Sequence, residues 1–163
     1  MRKTTLRLLL EFVAITAPLT WLWMELLRPV YLKGLVLVAT PLFQLLGVTG
    51  FPPGPIQAHF INYVPFLGLM LVTPGLRWRK RVTGCLIGFA VIFAMHVAVA
   101  WMAYIVFVRD GAGPDSMQRM MPILLFSDSL PFVLWAVAAR EFVRDLLQRT
   151  IPARPPAGTD PGD

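Results

Sequence analysis

An all-α fold, a polytopic membrane helix bundle with four transmembrane helices and a fifth candidate segment, follows from three features of the sequence. Residues 82–108 form a run of 27 without one acidic or basic side chain. As a helix that run would rise about 40 Å, more than the roughly 30 Å hydrocarbon core of a bilayer. The chain is 56% hydrophobic and only 15% charged over 163 residues, with mean hydropathy +0.65, which places it among membrane proteins. Finally, Arg77-Trp78-Arg79-Lys80-Arg81 stands directly before the long run, as the positive-inside rule requires of a cytoplasmic end.

The first crossing is read at 8–27, behind Arg2, Lys3 and Arg7. No small-residue cleavage site follows and Glu11 interrupts the apolar run, so an uncleaved signal anchor is expected. Segment 31–48 is a weaker candidate. It carries Lys33, Pro41 and Gln44 and runs into the turn-rich stretch Thr49-Gly50-Phe51-Pro52-Pro53-Gly54-Pro55, and it reads as an interfacial or re-entrant piece, or as a fifth crossing. The remaining crossings are expected at 60–76, 82–108 and 122–139.

Four crossings with both termini inside gather Arg2, Lys3, Arg7, Arg77, Arg79, Lys80, Arg81, Arg140, Arg144, Arg149 and Arg154 on the cytoplasmic side, 11 of the 15 basic residues. Five crossings with the N-terminus outside give a poorer split, so four are preferred. Both arrangements leave residues 77–81 and the C-terminus in the cytoplasm, which suits a bacterial inner membrane. The basic residues thus find their explanation at membrane boundaries, and the high pI is not evidence for nucleic-acid binding. After Ala139, Arg140, Arg144 and Arg149 alternate with Phe142, Val143, Leu146 and Leu147, the pattern of a helix lying among lipid headgroups. Residues 152–163, rich in Pro, Ala, Gly and Asp, are expected to be a disordered tail.

Small residues at helical spacing mark packing faces. Gly84 and Gly88 form a G-x-x-x-G, and Ala90, Ala94 and Ala98 a second stripe; internal packing is the ordinary use, a partner face the alternative. Polar side chains within apolar segments are the candidate functional residues: Glu11, Glu25, Asn62, His96 and Asp128. Glu11 can pair with Arg7, Glu25 with Arg28, and Asp128 can be satisfied beside Ser127 and Ser129. His96 stands near the middle of the longest helix, where a neutral imidazole still requires hydrogen-bond partners. The lone Cys85 excludes an intrachain disulfide and any multi-cysteine metal site, and with two histidines in the chain no metal or cofactor is expected. Cys85 has no histidine close in sequence to activate it.

From Asn62 onward, over about half of the chain, the layout resembles the exosortase/archaeosortase family of membrane transpeptidases. In that family an apolar helix ends in Pro, a basic turn and G-x-x-x-G follow, then a long helix with F-x-x-N-x-x-R and a last helix with histidine. The corresponding stretches are Thr73-Pro74-Gly75, the 77–81 cluster, Gly84 and Gly88, then Phe93 to Val99, and finally Ser127-Asp128-Ser129 with Trp135. The resemblance implies a catalytic Cys–Arg–His triad, yet Val99 occupies the arginine position and His96 that of the asparagine. Residues 57–64 hold no cysteine, the last helix holds no histidine, and Cys85 is at the opposite end. Nucleophilic catalysis of that type therefore lacks its groups.

The expectation is a non-catalytic relative, like the small membrane proteins that accompany exosortases. Its partners would be lipid and an exosortase or sorting-signal helix, bound through the Gly84/Gly88 face, with a homo-oligomer as a further option. A second expectation is an oligomeric transport or proton-handling component using His96 with Asp128 or Asn62. A third is a membrane enzyme of another type in which those three converge.

Overall fold

The computed structural model describes residues 5–48 and 60–150. These residues form six α-helices and no strand: α1 (Thr5–Leu22), α2 (Arg28–Leu45), α3 (Tyr63–Val72), α4 (Trp78–Tyr104), α5 (Ser116–Ala138) and α6 (Arg140–Thr150). Three stretches are long and apolar enough to cross a membrane: Arg7–Leu45, Trp78–Arg109 and Ser116–Ala138. The expected tail, 152–163, lies outside the described residues.

The segments read separately as 8–27 and 31–48 form one helix of 39 residues, because α1 passes into α2 through a π turn at Trp23–Leu27. Pro29 accounts for the widening. It has no N–H for the carbonyl of Glu25, and its ring would crowd that oxygen in a regular α-turn. The chain instead bonds the Arg28 N–H back to the Trp23 carbonyl and continues as helix. Pro29 is thus absorbed by one wide turn.

The segment read as 60–76 yields a helix of only 10 residues, Tyr63–Val72, about 15 Å long and half the depth of a hydrocarbon core. It ends at Thr73-Pro74, where proline disfavours further helix, and Gly75 turns the chain at φ 77° into the basic stretch. The run read as 82–108 lies inside a longer helix, α4 with a π turn at Ile105–Arg109, closed by Gly111 at φ 81°.

Two apolar clusters stack along the bundle. Near the basic turn, α3 is enclosed by α1, α4 and α5, with Phe66, Met70 and Ile92 fully buried. Towards the other end, α2 takes the place beside α4 and α5 that the short α3 leaves open, burying Leu35, Ala39 and Phe43 against Val99, Ala103, Met120 and Leu124. The bundle surface is apolar over most of its height: Leu37, Leu45, Leu86, Leu125 and Val137 are all more than half exposed. Such a surface suits lipid and not water.

Candidate functional site

Three interior polar side chains, Tyr31, Tyr63 and His96, meet where the two clusters join. α4 presents His96 inward, one turn from Ile92 and one from Ala100, and the imidazole is completely buried. Tyr31, three residues into α2, places its hydroxyl 2.6 Å from His96 Nδ1. The Tyr63 hydroxyl donates to the Tyr31 oxygen at 3.2 Å and approaches the Phe89 carbonyl at 3.5 Å. Phe60 lies over the imidazole with ring centroids 4.6 Å apart, and Tyr63 stands edge-on to it at 5.4 Å.

The chain Tyr63–Tyr31–His96 has two consistent proton orders. In one, Tyr63 donates to Tyr31 and Tyr31 to Nδ1, leaving the imidazole proton on Nε2. In the other, Nδ1–H donates to Tyr31, Tyr31 to Tyr63, and Tyr63 to the Phe89 carbonyl. The two differ only in hydrogen positions. In both, Nε2 has no partner among the described residues.

Asn62 is also buried, but its business is with α5: Nδ2 donates to the carbonyl and to the hydroxyl of Ser127, each at 2.9 Å. The polar residue that α5 turns inward at this level is therefore Ser127. Asp128, one position on, is exposed, so the expected convergence of His96, Asn62 and Asp128 does not form. Glu25 is exposed on the π turn, and no ion pair joins it to Arg28. Glu11 does pair with Arg7, at 3.0 Å.

Gly84 and Gly88 are consumed by the fold. A Cβ on Gly88 would land on the Phe66 ring, and one on Gly84 would meet the Met70 terminal methyl at 2.7 Å and Ala138 at 3.5 Å. The expected partner face is thus occupied from within by α3 and α5. The stripe Ala90, Ala94 and Ala98 is exposed.

Cys85 is half-buried one turn from Arg81 and packs beside the cluster around Phe66 and Met70. Among the described residues no group of three or more His, Cys, Asp or Glu side chains is placed to hold a metal ion. At the same end, Trp135 Nε1 donates to Thr73 Oγ1 at 2.8 Å and Arg81 Nη2 to the Thr73 carbonyl at 3.0 Å, which pins the turn between α3 and α4.

Beside the tyrosines an apolar cavity of about 410 Å³ opens between the long helix and α3 and α4. Leu19, Trp23, Leu27 and Tyr31 form one wall, Tyr63, Val64, Leu67, Phe89 and Phe93 the other. Reading the sequence missed Tyr31 and Tyr63. The available signal was a phenol within an apolar segment, a side chain that seeks one partner for its hydroxyl when buried.

No family model, no curated protein and no solved structure matches the chain.

Proposed function

We propose that this chain is a non-catalytic protein of the bacterial inner membrane, related to exosortases, that binds an apolar transmembrane segment as an accessory in surface-protein sorting. The exosortase H-associated membrane protein is the kind of relative it resembles. The observation that carries the reading is the open apolar cavity between Leu19, Trp23 and Leu67, of a size to take a row of side chains from a sorting-signal helix. Among the described residues the lone thiol has no base beside it, which supports a binding role over a catalytic one: Cys85 and His96 lie eleven positions apart on α4, about three turns.

In this reading the N-terminus, the 77–81 turn and α6 are cytoplasmic. Arg7–Leu45 crosses outward, the α3 segment returns, and α4 and α5 complete four crossings. Reporter fusions after Arg81 and Arg149 are expected to read cytoplasmic, and those after Phe51 and Gly111 periplasmic; a cytoplasmic signal at Gly111 overturns the topology.

The binding itself is tested with a photo-crosslinking amino acid in place of Leu67, and with Leu86, exposed on the outside of α4, as control. Adducts at position 67 with a C-terminal sorting helix or an exosortase are the expected outcome. Adducts with lipid alone at both positions remove the proposal.

A second reading, a proton-handling component, draws support from the Tyr63–Tyr31–His96 chain, which reverses direction without moving a heavy atom. It no longer draws any from Asp128, which faces outward.

A further inference from the structure

Three charged residues, Glu25, Arg28 and Lys33, stand midway along the 39-residue helix Arg7–Leu45. Their depth follows from one contact. Tyr31 bonds His96, and His96 lies next to the centre of the charge-free run 82–108. Arg28 and Lys33 are therefore within about 5 Å of that height and Glu25 within about 9 Å. A hydrocarbon core of roughly 30 Å centred there contains all three.

Glu25 and Lys33 are exposed and Arg28 half-exposed, among the outward-facing apolar side chains of Trp21, Leu26 and Val30. None of the three charges has an ion-pair partner among the described residues. Charged groups at such depth are stable only against protein or water. The chain itself leaves them facing outward.

We propose that this face is the interface between two copies of the chain, Glu25 of each paired with Arg28 of the other. The occupant follows from charge complementarity. Glu25 and Arg28 have opposite sign and sit one turn apart, so the face carries its own complement. Two parallel copies related by a two-fold axis along the membrane normal bring each Glu25 to within about 4.5 Å in height of the partner's Arg28. That offset is within the reach of a guanidinium, which suits buried carboxylate pairs. The symmetry forms both pairs at once. Lys33, eight positions beyond Glu25, is exposed and has an apolar stem that lets its ammonium rise towards the far interface. The proposal concerns a different surface from the cavity and stands or falls independently of the sorting role.

The test uses the full chain in nanodiscs and reads oligomeric state by sedimentation. The wild type is expected to be a dimer. Glu25→Arg and Arg28→Glu should each weaken dimerisation at least about tenfold, because each sets like charges against one another. Co-expression of the two variants should restore a heterodimer, since one chain then offers two cations to the other's two carboxylates. Pairing within one chain predicts no such rescue. In the Cys85→Ala background, Trp21→Cys should form an intermolecular disulfide in native membranes and Val133→Cys, exposed on α5, should not. A monomeric wild type, or single variants that dimerise normally, or a mixture that stays monomeric, overturns the proposal.

Discussion

Near the basic turn the helices approach through glycines, whereas beyond His96 they meet through aliphatic side chains. In the first region Gly68 admits the Thr16 methyl and Phe12, Gly84 admits Met70, and Gly88 admits the Phe66 ring. In the second, Leu35, Ala39, Val99 and Leu124 fill the space between α2, α4 and α5. One sequence has used two solutions to the absence of a hydrophobic drive between helices in lipid: close backbone approach, and dense side-chain contact. The first fails when a residue grows, the second when a residue shrinks. The Tyr63–Tyr31–His96 chain sits at the join, with Tyr31 packed against both clusters.

That contrast is breakable, and the largest effect should come from the far region. Leu35 is fully buried, and Leu35→Ala is expected to cost about 3 kcal/mol through the void it leaves. Gly88→Ala should cost about 2 kcal/mol, because its Cβ collides with a ring that has nowhere to turn. Gly84→Ala, in the same motif, should cost less than about 1 kcal/mol, since the terminal methyl of Met70 can swing aside. Equilibrium unfolding in mixed micelles ranks all three. Equal costs at Gly84 and Gly88 would remove the distinction drawn between a flexible and a rigid neighbour.

His96 stands at the join between the two regions. His96→Leu takes from the Tyr31 hydroxyl one of its two hydrogen-bond partners, leaving Tyr63, and is expected to lose about 1–3 kcal/mol, while His96→Asn keeps a donor and an acceptor and most of the stability. Function should follow stability. If both variants fold as the wild type does and both lose function, the imidazole carries protons and the structural assignment is wrong.

The smallest effect belongs to the surface. Lys80 donates to Glu141 at 3.0 Å, and that hydrogen bond, with the Lys80 charge and further help from Arg140 and Arg77, holds the carboxyl below its usual range. A depressed carboxylate pKa contributes stability at neutral pH that fades as pH falls through the lowered value. Glu141 is fully exposed, so the contribution is minor. NMR titration of the carboxyl should show the depression, and Lys80→Met should remove most of it. A titration in the ordinary carboxylate range with Lys80 present would discount the pair.

The identity of the long helices was open to reading because it depends on local composition. Residues 82–108 carry no charge over a length that spans a bilayer. The Arg7–Glu11 pair was legible for the same reason, since four residues along a helix are neighbours whatever surrounds them. His96 was recognisable as a residue needing partners, though not which partners.

Local composition therefore suffices for an all-helical chain with membrane-length apolar helices, its basic turn and its polar exceptions. Tertiary structure decided the rest. Composition shows that Gly84 and Gly88 permit close approach; only the fold shows α3 already there. Segments 8–27 and 31–48 read apart until the widened turn before Pro29 carries the helix through. Asp128 and Ser127 are adjacent in sequence, yet Ser127 is buried against Asn62 and Asp128 is exposed, a choice made by the rotation of α5 against its neighbours. Tyr31 and His96 are 65 positions apart, and no local rule brings a phenol and an imidazole together across that distance. Periodicity specifies which faces of a helix are alike, whereas packing selects the face that is buried and the partner that buries it.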